Sequence, residues 1–208
     1  MPNKTSFLNS PLNWVFSAPS NIAVIRALKD SREGMSGRAA ARAAGFTHQA
    51  CRRALRDLES AGIIVRQGAG HTQLVRLNFE NILVKEALLP MFRAEKSFLE
   101  SARLQIRKEF GRQARTATLF GSTARREDEP GSDVDLLLVT DAPNKDPLEE
   151  RARLFGKRFI TEYGVRFSPM ALTTREVRAK YRKADPLLKN ILAHGIDLLS
   201  ERLEDILK

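Results

Sequence analysis

Residues 116–139, TATLFGSTARREDEPGSDVDLLLV, decide how the C-terminal half of this chain folds. Residues 116–120 alternate threonine with apolar residues, which predicts a β-strand, and the strand runs into Gly121-Ser122 and then a short helix. Glycine lets backbone approach a phosphate closely, and the free N–H groups at a helix start favour an anion. Ser122 adds a hydroxyl donor there and Arg125 a cation. Asp133 and Asp135 stand two residues apart and lead into the apolar run Leu136, Leu137, Leu138, Val139. On a strand, such a pair points to one side while Val134 points to the other. Two carboxylates held together are costly unless a cation compensates them, and oxygen-only ligation suits Mg²⁺ or Mn²⁺. A phosphate-binding turn beside a carboxylate pair is the equipment of phosphoryl or nucleotidyl transfer. No histidine stands near Ser122 in the motif to activate it as a nucleophile.

The segment FGSTARREDEPGSDVDLLLV (residues 120–139) resembles the polymerase-beta-type nucleotidyltransferase superfamily, and within it the minimal nucleotidyltransferases of toxin–antitoxin pairs. The likeness rests on Gly-Ser, then Ala-Arg, then Ser-Asp-x-Asp at the expected spacing, and it extends over residues 112–208. It implies a mixed β-sheet with flanking helices, including a helix over 147–163, a strand over 165–172 and closing helices that end in ILAHGIDLLS. It further implies that Gly121 and Ser122 hold the β- and γ-phosphates of a nucleoside triphosphate such as ATP, with Arg125 placed to assist. Asp133 and Asp135 would bind Mg²⁺ or Mn²⁺ while an acceptor hydroxyl attacks the α-phosphate and expels pyrophosphate. The chain departs from the pattern at one place. Active members carry a third carboxylate on the next strand, and here Ser168 takes that slot, with Pro169 after it. Glu162 and Asp141 are the nearby acids that could replace it.

The N-terminal 77 residues hold eleven Lys and Arg against four acids, a net +7 out of the +10 of the whole chain. Positive charge concentrated in a small domain is the footprint of a polyanion binder. Three helices are predicted: residues 21–29 with Ser20 as N-cap, a second from Ser36 to a stop at Gly45, and a third capped by Thr47 and ended by Gly62. On the third, Ala50, Cys51, Ala54, Leu55 and Leu58 recur at helical spacing, leaving His48, Gln49, Arg52, Arg53 and Arg56 on the other face. Two β-rich runs follow, 63–67 and 72–77, joined by a turn at Gly68–His71. The run LRDLESAGIIVRQGAGHTQLVRL (residues 55–77) resembles the recognition-helix-to-wing segment of winged-helix transcription regulators. That resemblance implies double-stranded DNA as partner, with His48, Gln49, Arg52, Arg53 and Arg56 presented to base edges and phosphates and Arg66, His71 and Arg76 reaching the backbone from the wing.

The reading is therefore an α+β chain in three parts: a winged helix-turn-helix over 1–80, a helical connector over 81–111 that Pro90 kinks or divides, and a nucleotidyltransferase-like domain over 112–208. No apolar run reaches the roughly 20 residues a bilayer span needs, and no secretory signal is visible, so the expectation is a cytoplasmic protein without a membrane partner. Cys51 is the sole cysteine and reads as a core residue; the three histidines are too scattered for a zinc site. Three functions stand side by side. The first is a DNA-tethered nucleotidyltransferase acting on a protein or nucleic-acid acceptor, and the second a transcription regulator whose degenerate transferase domain senses nucleotide. The third is an antitoxin-like module that neutralises a partner protein. Paired half-sites on DNA would suit a homodimer.

Overall fold

The computed structural model describes residues 6–68 and 73–208. It divides into two compact units, Met1–Ser97 and Phe98–Lys208, and the division falls inside the long helix α5 (Leu89–Phe110).

The first unit contains helices α1 (Leu12–Val15), α2 (Pro19–Leu28), α3 (Gly37–Ala44) and α4 (His48–Ser60). A three-stranded antiparallel sheet accompanies them, built from β1 (Met35–Ser36), β2 (Ile64–Gln67) and β3 (Leu74–Leu77) in the order β1-β3-β2. Helices α3 and α4 begin as the sequence predicts. Ser36 accepts from Ala39 N at 3.2 Å, Thr47 accepts from Ala50 N at 3.3 Å, and Gly45 closes α3 at φ +68°. Cys51, Ala54, Leu55 and Leu58 are buried in one core with Val24, Ile25, Leu28, Ala40, Val75 and Leu77. One expectation is corrected, and one strand goes beyond the sequence reading. Ser20 is not the cap of α2: Ala18 is, in extended conformation, and Pro19 takes the first helical position, where its fixed φ suits the turn and its missing N–H costs nothing. The loop before α3 also contributes β1, a strand too short for any periodic signal, which the pairing of Met35 with Val75 and Ser36 with Leu74 creates. Thr72, expected in β3, lies outside the described residues.

Pro90 does not divide the connector. A π-helical turn, Val84–Leu88, runs directly into α5, and Pro90 stands at the second residue of α5, where the wider turn accommodates a residue that lacks an N–H.

The second unit is built on a mixed four-stranded sheet of order β6-β5-β4-β7, from β4 (Thr116–Phe120), β5 (Val134–Thr140), β6 (Phe167–Thr173) and β7 (Ile196–Asp197). Strands β4 and β5 are antiparallel; β5 and β6 are parallel and joined by helix α7 (Lys145–Tyr163). Helices α8 (Thr174–Arg182), α9 (Pro186–His194) and α10 (Leu203–Leu207) complete the unit. The run Leu136–Val139 is wholly buried because both faces of β5 are covered. Leu136 and Leu138 pack with Ile106, Phe110, Phe155 and Phe159, whereas Leu137 and Val139 pack with Leu172, Val177, Ile191 and Ile206. The closing segment differs from a purely helical expectation: Ile196–Asp197 after α9 forms strand β7 against Thr118 and Leu119. Pro169 fits its strand because β6 is an edge, where a missing N–H breaks no second ladder.

Helix α8 starts on the last residue of β6 through a capping box. Thr173 Oγ1 accepts from Glu176 N at 3.1 Å, and Glu176 Oε2 accepts from Thr173 N at 2.7 Å. Lys145 Nζ donates to Glu176 Oε1 at 2.8 Å, and with the Thr173 amide it pulls the carboxyl down from 4.5 to about 2. A carboxyl whose folded pKa is depressed stabilises fully above its unfolded value and loses that contribution as pH falls toward the folded one. Glu176→Gln should therefore melt below wild type at pH 7, and the gap in Tm should close between about pH 4.5 and about pH 2; a gap independent of pH would show that the charge is not the source.

Candidate active site

The site forms where β4 turns into helix α6 (Gly121–Arg125) and where β5 begins. Phe120 pairs with Asp135, so the start of β5 lies against the turn that leaves β4. Gly121 adopts φ +73°, a conformation that favours glycine. A Cβ built on it would stand 2.2 Å from Asp135 Oδ2, so the absence of a side chain at Gly121 is what seats the Asp135 carboxylate over the turn. Ser122 is half-buried beside it, and its carbonyl accepts from Glu127 N at 2.9 Å.

The alternation of β5 sets which way the acids face. Residues 135, 137 and 139 share one side of the strand, and Asp133, one residue before it, continues the same parity. The parallel register sets Ser168 directly opposite Asp135, on the face it shares with Met170 and Leu172. Ser168 thus stands beside the pair and brings a neutral hydroxyl to it. Neither neighbouring acid replaces it. Asp141 follows the other end of β5, six residues and about 20 Å of strand from Asp135, where it lies 3.8 Å from Arg115. Glu162 accepts a hydrogen bond from Gln105 of α5. Among the described residues no three acids, histidines or cysteines form a metal-binding group.

Partial burial raises the Asp135 carboxyl above the usual carboxylate range, and the negative charge of Asp133 pushes it further the same way; the Ser168 hydroxyl works against both. Asp133 has an oxygen, Oδ1, that is closed to solvent and accepts no hydrogen bond. Arg166 Nε lies 2.8 Å from that oxygen, so the two meet as charges without an aligned N–H. An orphaned carboxylate oxygen next to a second desolvated carboxylate fits one divalent cation, with further positions open to phosphate and water. The neighbouring Ser168 hydroxyl adds no third carboxylate to the pair. Arg125 lies at the end of α6 with its Nε on Glu127 at 2.7 Å, so its charge is already engaged. Arg166 was not among the expected site residues. Only its register beside Val134, whose N–H donates to the Arg166 carbonyl at 2.8 Å, brings it to the acids.

In the first unit a concavity of about 1070 Å³ lies between the starts of α3 and α4 and the β2–β3 hairpin. His48, Gln49, Arg52 and Arg56 line it, joined by Arg66 and by Arg38, which sequence reasoning missed because it sits on a different helix. Arg53 is exposed on α4 outside this lining. Arg66 donates to Glu59 at 2.8 Å and to Gln73 at 3.2 Å. Arg76 pairs across from Val65 while Arg66 pairs across from Val75, which puts the two arginines on opposite faces of the hairpin. His71 lies outside the described residues.

Gly121→Ala should lower stability by about 1–3 kcal/mol, since the methyl group must displace Asp135 and φ is unfavourable as well. Gly131→Ala is the control, because Gly131 also has positive φ, +97°, but open space around its Cβ position. Equal denaturation midpoints for the two variants would refute a steric seat for Asp135 at Gly121.

Compared with known families, residues 100–203 fit the model of the nucleotidyltransferase domain. No curated protein and no solved structure matches the chain. The matched segment is half of the chain and holds the β4–α6 turn, both aspartates and Ser168. The chain belongs to the nucleotidyltransferase domain family.

Proposed function

We propose that this protein binds double-stranded DNA through its first unit and a nucleoside triphosphate with one divalent cation through its second, where nucleotidyl transfer to a protein or nucleic-acid hydroxyl is slow. The observation that carries the second part is the seat of Asp135 on Gly121 with Asp133 beside it. Gly121 and Ser122 hold the β- and γ-phosphates, since this turn has a glycine backbone and a hydroxyl and lies against the acids. Asp133 and Asp135 hold Mg²⁺ or Mn²⁺, which when bound neutralises phosphate charge as the family's chemistry requires. Arg125 reaches the triphosphate only by leaving Glu127. Ser168 takes the place of the acid that would draw the proton from the acceptor hydroxyl, and an alcohol is far too weak a base for that step. This favours a second reading for the same site, a nucleotide sensor or partner-binding module in a transcription regulator.

For the first unit, three mutually packed helices followed by an antiparallel hairpin support a winged helix-turn-helix. Its α4 presents His48, Gln49, Arg52, Arg53 and Arg56 to solvent, which suits a helix that enters the major groove. Arg66 supports it from β2, and Arg76 serves the opposite face of the wing.

Labelled nucleoside triphosphates with Mn²⁺ and cell lysate test the transfer. Wild type should label an acceptor weakly, Ser168→Asp should raise the rate about tenfold or more, and Asp133→Ala with Asp135→Ala should abolish it. If neither wild type nor Ser168→Asp labels any acceptor, yet wild type binds nucleotide, the site is a sensor. Binding of DNA should be salt-dependent and should weaken about tenfold or more when Arg52, Arg53 and Arg56 are neutralised together; a gel shift that this triple variant leaves intact rules out α4 as the reading helix.

A further inference from the structure

Arg166 immediately precedes β6, and its carbonyl accepts from Val134 N at 2.8 Å, which pins its backbone beside Asp133. Its Nε is 2.8 Å from Asp133 Oδ1, the oxygen that solvent does not reach and that accepts no hydrogen bond. Among the described residues little else holds the side chain. It is 68% exposed, and its other polar contact is a 3.4 Å hydrogen bond from Nη2 to the Gly131 carbonyl. Arg166 therefore touches the acid pair chiefly by charge, on a stem that can move without disturbing any core.

We propose that Arg166 is a built-in competitor for the divalent cation: its guanidinium compensates Asp133 while no metal is bound and must leave Asp133 for the metal to bind. The inference rests on the reading that Asp133 and Asp135 hold the cation. A buried carboxylate oxygen without a hydrogen-bond donor needs a positive charge from somewhere. The guanidinium supplies one unit of it to Asp133 alone. A divalent ion supplies two units, and it can draw oxygens from both aspartates to one centre. A cation on Oδ1 would face the guanidinium's like charge across a single oxygen, and that repulsion drives the arginine off as the metal binds. Arg166 thereby raises the free metal concentration at which the site fills, and the site favours metal that arrives with the extra attraction of a bound triphosphate.

The test is Mn²⁺ binding to the full chain without nucleotide, followed by the electron paramagnetic resonance of free Mn²⁺, so that no turnover is needed. Arg166→Gln should bind Mn²⁺ about two- to fivefold more tightly than wild type, the range expected for loss of a partly exposed ion pair. Asp133→Asn should abolish binding. Arg166→Lys keeps the charge but loses the planar fork, and it should fall between wild type and the glutamine variant. If Arg166→Gln binds no more tightly than wild type while Asp133→Asn still abolishes binding, the competitor role is wrong and the metal site stands. If Asp133→Asn binds as wild type does, or no form binds at all, the metal site is wrong and the competitor role falls with it. Should Arg166→Gln fail to fold, the lysine variant decides, and an affinity at or below that of wild type overturns the proposal.

Discussion

The burial of β5 on both faces is the constraint on which the second unit depends. Leu136 and Leu138 fill one core and Leu137 and Val139 the other, so the strand cannot slip by one residue without exchanging every contact on both sides. Strand alternation then carries that lock forward to Asp135 and Asp133, which have no freedom to face elsewhere. It also carries it sideways, because the parallel ladder with β6 aligns Asp135 with Ser168 and Val139 with Leu172. The acids thus inherit their position from leucines and a valine that take no part in any chemistry.

That position is electrostatically unfavourable in the bare protein. One carboxyl is pushed up by burial and by its neighbour, and the other has an oxygen with no donor. Stability of this kind is sacrificed at functional sites more often than elsewhere, and the cost here is limited by the position of the pair at the strand's open end, where Arg166 can reach it. Gly121 belongs to the same arrangement. Any larger residue would push Asp135 away from the turn, so the glycine serves the carboxylate directly.

The first unit solves a different problem with a simpler device. Its α4 is divided along its length, with Cys51, Ala54, Leu55 and Leu58 buried and the histidine, glutamine and arginines exposed. Positive charge on a solvated face costs little, so a helix can accumulate it without paired acids. The proposal that this face meets DNA adds a use for charge that the fold itself does not require. Arg66 differs, since Glu59 and Gln73 tie it into the unit.

How much of this was legible follows from the range of the forces involved. Helix caps at Ser36 and Thr47, the stop at Gly45, the two faces of α4, and the strand–turn–helix around Gly121 are local patterns, and they were readable from neighbours within four residues. The acid pair was readable too, because alternation along one strand needs no knowledge of the partner strand. Strands β1 and β7, two residues each, were not, since only pairing with a distant strand makes them strands. The continuous passage into α5 through Pro90 depended on a π-helical turn that no periodicity announces. By itself, then, the sequence determined the carboxylates, the glycine turn and the amphipathic basic helix. Only the tertiary structure decided that Ser168 lies opposite Asp135, that Asp141 is a strand's length away, and that Arg166 sits on Asp133, because register between strands is set by cores that draw residues together across the whole domain.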